Sequence, residues 1–82
     1  MAKSWLYKYG EDTINVVNKG FDGSELYVNG ELRDQNNGLS FSEQLSATLK
    51  NGESVKVTLG GAFTVKCSLF VNEKLQEPVE VK

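Results

Sequence analysis

Apolar side chains along this chain recur at every second position. Phe63, Val65, Cys67, Leu69 and Val71 alternate with Thr64, Lys66 and Ser68, and Val55, Val57 and Leu59 alternate with Lys56 and Thr58. Leu39, Phe41, Leu45, Ala47 and Leu49 keep one parity, interrupted at Glu43. Successive side chains of a strand point to opposite faces, so each segment reads as a strand with one buried and one wet face. A helical reading fits best over 39–49, where Phe41, Leu45 and Leu49 recur at i, i+4 and i+8, and does worse elsewhere.

Turn chemistry agrees. Asn-Gly pairs occur at Asn29-Gly30, Asn37-Gly38 and Asn51-Gly52, and Asn and Gly accept the positive φ of a type I′ hairpin turn. Gly10-Glu11-Asp12 and Gly60-Gly61 are further turn candidates. Pro78 lacks an amide hydrogen, so the last segment should be an edge strand or be interrupted there. Strands are expected near 3–9, 13–18, 24–28, 31–34, 39–49, 54–59, 62–71 and 74–81. The expected fold is therefore all-β, an antiparallel sandwich of about seven or eight short strands in a single domain over 1–82.

The chain also resembles itself. Tyr7-Lys8-Tyr9-Gly10-Glu11-Asp12 is similar to Leu49-Lys50-Asn51-Gly52-Glu53-Ser54, and Leu26-Tyr27-Val28-Asn29 to Leu69-Phe70-Val71-Asn72. This reads as an internal repeat, about 4–34 and 46–77, that would form two pseudo-symmetric halves. Ile14 and Val16 fall out of phase with Val55 and Val57. A bulge in the first copy, or Val17 as its inward residue, would explain the mismatch. The expected core is Trp5, Tyr7, Ile14, Val16, Leu26, Val28, Leu39, Phe41, Leu45, Leu49, Val55, Val57, Leu59, Phe63, Val65, Cys67, Leu69 and Val71.

Composition narrows the chemistry. The chain has 82 residues, nine Lys and Arg against eleven Asp and Glu, no His and one Cys. The net charge of −2 argues against a nucleic-acid surface, including oligonucleotide binding on a small barrel. Without His the commonest general base and metal ligand are missing. One Cys makes no internal disulfide. No basic residue is followed by the apolar stretch of a signal peptide, and no run reaches the roughly 20 apolar residues of a membrane span. A cytoplasmic protein is expected, unless the segment is excised from a longer secreted or membrane protein.

Few residues stand out as a site. Trp5, Tyr7 and Tyr9 share one face of the first strand and could stack sugar rings, or simply fill the core. Tyr27 and Phe70 occupy matching positions of the two copies with parity opposite to their apolar neighbours, which suggests exposed aromatics for an interaction patch. Cys67 lies in the inward phase and reads as a small core residue. Asp22-Gly23-Ser24 lacks the acidic density of a calcium loop. Gly60-Gly61 lacks the Gly-Lys-Ser/Thr ending of a phosphate loop. The scattered carboxylates form no marked pair.

The phrase Leu26-Tyr27-Val28-Asn29-Gly30-Glu31-Leu32 and its echo Leu69-Phe70-Val71-Asn72-Glu73-Lys74-Leu75 resemble hairpins of small bacterial β-sandwich modules. In plan the chain is similar to the β-sandwich of the Fas apoptosis inhibitory molecule family. That resemblance implies a non-enzymatic interaction module. The family's histidine and cysteine features do not carry over to a chain with no His and one Cys.

The expected function is thus non-catalytic binding of a protein partner, through a sheet edge or an aromatic patch involving Tyr27, Phe70 and Tyr9. The alternative is carbohydrate binding by Trp5, Tyr7 and Tyr9. No cofactor, metal, nucleic acid or membrane partner is expected, and the chain should be a monomer or weak homodimer.

Overall fold

A computed structural model describes residues 2–38, 42–61 and 64–82. Among them are nine strands: β1 Lys3–Tyr9, β2 Asp12–Asn18, β3 Ser24–Val28, β4 Glu31–Asn36, β5 Ser42–Thr48, β6 Ser54–Gly60, β7 Lys66–Val71, β8 Lys74–Gln76 and β9 Glu80–Val81. They form two antiparallel sheets. Sheet A runs in the order β4-β3-β2-β1-β9 and sheet B in the order β5-β6-β7-β8. Each sheet therefore contains a four-stranded meander, and the meanders pack face to face as a sandwich.

The alternation places the core. Trp5, Tyr7, Ile14, Val16, Leu26 and Val28 of sheet A are buried against Leu45, Leu49, Val55, Val57, Leu59, Leu69 and Val71 from the sheet B half. Val65 and Cys67 pack against this cluster while staying partly buried. The expected core residues Leu39, Phe41 and Phe63 lie outside the described residues. Residues 42–48 form a strand, so the helical alternative is discarded there. Ile14 and Val16 are fully buried and β2 pairs with β1 without a bulge, leaving Val17 outward. The bulge lies instead in the β3–β4 pairing, between Leu26 and Tyr27.

Two asparagines set matching turns. The Asn29 amide donates to the Thr13 carbonyl at 2.7 Å, and its Oδ1 accepts the Thr13 N–H at 2.8 Å. Its Nδ2 donates to Asp12 Oδ1 at 2.9 Å. In the other sheet the Asn72 amide donates to the Ser54 carbonyl at 2.9 Å, and its Oδ1 accepts the Ser54 N–H at 3.1 Å. Its Nδ2 donates to Glu53 Oε2 at 2.8 Å. Each side-chain amide thus continues a ladder past the end of its strands. This correspondence sets Asp12 and Thr13 beside Glu53 and Ser54, and so brings Ile14 and Val16 into phase with Val55 and Val57.

The turns differ in residue choice. Asn29 and Gly30 both have positive φ, as a type I′ turn requires. Asn51-Gly52 departs from that expectation. Only Gly52 has positive φ, and the Gly52 N–H bonds the Leu49 carbonyl while the Leu49 N–H bonds that of Glu53. The β7–β8 turn has Glu73 at φ 67 where its counterpart has Gly30. A side chain in that region costs about 1 kcal/mol relative to glycine. Glu73→Gly should therefore raise stability by about 0.5–1 kcal/mol in urea unfolding; a loss of stability would show that the Glu73 side chain is needed in the turn.

Both corners of the sandwich are closed. At one, Asp34 Oδ2 accepts the Ser46 N–H at 2.8 Å and Arg33 donates to the Thr48 carbonyl at 3.1 Å, so β4 side chains occupy the β5 edge. At the other, the expected strand over 74–81 is split. Pro78 ends pairing with sheet B, and the chain crosses to sheet A, where the Val79 N–H reaches the Leu6 carbonyl at 2.7 Å.

Candidate interaction surface

Burial removes the platform that sugar stacking needed. Trp5 and Tyr7 are core residues, at 5% and 1% exposure, and only Tyr9 of the three is partly exposed. Lys3 Nζ lies 5.5 Å from the centre of the Trp5 ring, a cation over the edge of the core.

Tyr9 is tied down as well. Its hydroxyl donates to Glu53 Oε2 at 2.6 Å, joining β1 of sheet A to the loop before β6 of sheet B. The same carboxylate accepts from the side-chain amides of Asn51 and Asn72. Glu53 is thus occupied by three donors. Tyr9 ties the two sheets together, while Asn51 and Asn72 hold the carboxylate within the sheet B half.

Tyr27 lies on the outer face of sheet A. Its hydroxyl donates to Glu25 Oε1 at 2.8 Å, and Lys19 pairs with the other oxygen of Glu25 at 3.2 Å. Phe70 lies on the outer face of sheet B, between the buried Leu69 and Val71. Two packed sheets turn their outer faces in opposite directions, so Tyr27 and Phe70 cannot share one patch, and Tyr9 belongs to neither face. Parity along a strand showed both rings to be outward, but only the strand order shows which way outward is.

Both outer faces set an aromatic ring beside an exposed leucine in register, Tyr27 with Leu32 at 43% exposure and Phe70 with Leu75. Of the two rings, only Phe70 adjoins a hollow among the described residues. In register, Leu75 pairs with Phe70, Phe70 with Lys56, and Lys56 with Ser46. One row thus crosses all four strands, apolar at the β8 end and polar at the β5 end. Leu75 is 57% exposed, a large apolar side chain beside a half-buried ring. Next to this pair is a shallow hollow of about 510 Å³, lined by Gln44, Ser46, Lys56, Thr58 and Phe70. Leu75 was missed in the sequence because a three-residue strand is too short for its parity to be read.

The thiol is poorly placed for nucleophilic work. Burial pushes the Cys67 thiol up, and the Tyr7 hydroxyl lies 3.5 Å from its sulfur. Burial likewise drives the Tyr7 phenol far above its ordinary range. Tyr9 is raised by its bond to Glu53 and Tyr27 by its bond to Glu25. Glu25 is lowered, mainly by the Tyr27 hydroxyl and then by Lys19. Among the described residues no three His, Cys, Asp or Glu side chains converge as a metal site.

These shifts set a pH window. A group raised on folding holds its proton more tightly in the folded state, so its contribution is full below the unfolded value and declines as pH rises through the folded value. For the tyrosines the decline starts above pH 10.0, and for Cys67 above 9.0. Glu25 contributes above 4.5 and loses its contribution as pH falls through its folded value. Urea midpoints should therefore fall between pH 8 and pH 11. An unchanged or higher midpoint at pH 11 would contradict the buried and bonded tyrosines.

No helix among the described residues is long and apolar enough to cross a membrane. Comparisons with protein-family models, curated proteins and solved structures found no match to this chain.

Proposed function

We propose that this protein is a non-catalytic interaction module that docks a partner protein on the outer face of sheet B. The observation that carries this reading is the combination of the Phe70–Leu75 register pair with a hollow that Phe70 itself lines, a combination that the Tyr27–Leu32 pair of sheet A lacks among the described residues. Contiguous exposed apolar surface marks contact sites more reliably than single exposed residues do. Phe21, 80% exposed, lies instead in the short turn Gly20–Asp22. A non-catalytic role is supported by the protonated setting of Cys67 and the full engagement of Glu53.

The same proposal includes an origin and a setting. The matching Asn29 and Asn72 turns, each closing a four-stranded meander, support duplication of an ancestral half, with β9 added at the end. A shared plan with the Fas apoptosis inhibitory molecule sandwich, a cytoplasmic setting and a monomer or weak homodimer are parts of this reading.

Capture from a host extract tests it. The wild-type chain should retain a partner that the double variant Phe70→Ser, Leu75→Ser loses and that Tyr27→Ser keeps, with circular dichroism confirming that all three fold. Loss with Tyr27→Ser alone would move the site to sheet A.

A further inference from the structure

The outer face of sheet B differs from the rest of the surface in its charge. Its outward strand positions carry two lysines, Lys56 and Lys66, and no carboxylate, although the chain holds eleven acids and has a net charge of −2. The remaining surface therefore carries the excess of acid. Neither lysine is in an ion pair among the described residues, so both charges are free to meet a partner. The outer face of sheet A, by comparison, carries both signs, with Lys8 alongside Glu25 and Glu80.

Register arranges these groups in order. Lys56 lies between Phe70 and Ser46, and Lys66 pairs with Gly60, four residues further along β6 on the same face. Gly60 puts no side chain next to Lys66, and the Thr58–Ser68 pair lies between Lys66 and the Lys56–Phe70 pair. Beside the lysines, the hydroxyls of Ser46 and Thr58 and the amide of Gln44 supply uncharged donors.

We infer that this face takes an acidic segment of a partner protein, with an apolar side chain against Phe70 and Leu75 and its carboxylates against Lys56 and Lys66. The inference rests on the docking reading above and adds the chemistry of the partner. Complementary charge would steer and orient the encounter, while the apolar pair supplies the desolvated contact. A peptide carries both chemistries on one strand. An anionic glycan would engage the lysines and hydroxyls but leave Leu75 wet.

The test is a titration of the ¹⁵N-labelled full chain with four probes: short peptides repeating Glu-Glu-Leu, Lys-Lys-Leu and Glu-Glu-Ser, and an oligogalacturonate. The Glu-Glu-Leu peptide should shift amides around Ser46, Lys56, Thr58, Phe70 and Leu75 and leave those around Tyr27 in place. Its affinity should fall by about tenfold or more in the variant Lys56→Glu, Lys66→Glu, and should fall with added salt. Equal binding of Glu-Glu-Ser or the oligogalacturonate would overturn the peptide assignment. Preference for Lys-Lys-Leu at the same face would overturn the acidic partner while leaving the docking face intact. Shifts around Tyr27, or none with any probe, would count against both.

Discussion

Replacing Gly23 by alanine should destabilise the protein by about 2–5 kcal/mol, a large part of the net stability of so small a domain. Gly23 has φ +92, and a Cβ built there would meet the Asn36 carbonyl oxygen at 1.8 Å and the Asn37 Cα at 3.0 Å. The obstacle is backbone, so no side chain can swing aside. Relief requires β3 and β4 to separate where Ser24 pairs with Asn36, beside the buried bond from Asn18 Nδ2 to Ser24 Oγ at 2.9 Å. Gly38→Ala is the control. Gly38 shares the positive φ, at +96, but an added Cβ meets nothing within 4 Å, so about 1 kcal/mol of backbone strain is all that should appear. Equal losses in urea unfolding for the two variants would show that the contact with Asn36 plays no part.

The second large effect has the opposite sign. Glu43→Leu should stabilise the protein by about 1–3 kcal/mol. Glu43 is 4% exposed, keeps the inward parity of Leu45, and has Oε2 buried with no hydrogen-bond partner among the described residues. It pairs with Leu59 across the ladder. Extending β4 and β5 from the Asp34–Ser46 bond brings Glu43 to the end of the sandwich that holds Asn18 and Ser24. Those two are satisfied: Asn18 donates to Ser24 and accepts the Gly20 N–H. The buried carboxyl oxygen is the unsatisfied polar atom, and an apolar side chain of similar length removes its desolvation cost. Glu43→Gln keeps a polar group there and should recover less. A lower urea midpoint for Glu43→Leu would mean that the carboxyl does have a partner in solution.

Glu43 also shows how far the sequence could be read. Its position in the alternation was visible, yet it looked like a break in the pattern, because hydropathy cannot tell a buried acid from an interruption. Elsewhere the alternation carried through in β6 and the end of β7, while Val65 and Cys67 are only partly buried and Leu39, Phe41 and Phe63 lie outside the described residues. Val55, Val57, Leu69 and Val71 point inward, and Lys56 and Lys66 outward, because a sheet buried on one face fixes parity. The split at Pro78 was half legible: the missing N–H foretold an interruption, but the move to the other sheet depends on the Val79–Leu6 bond, a partner 73 residues away in sequence.

The candidate surface was less legible still. Tyr27 and Phe70 matched in the sequence because their hairpins match, and that likeness suggested one patch. Packing the meanders face to face turns matching positions away from each other. Phe70 instead acquires Leu75 and Lys56 as neighbours through register, which local pattern does not encode.

Site-specific photo-crosslinking tests the central claim most directly. A benzophenone amino acid placed at position 70 should form a covalent adduct with one partner protein in the native host, and the same group at position 27 should not. An adduct from position 27 with none from position 70, in chains that fold equally well, would contradict a docking surface on the outer face of sheet B.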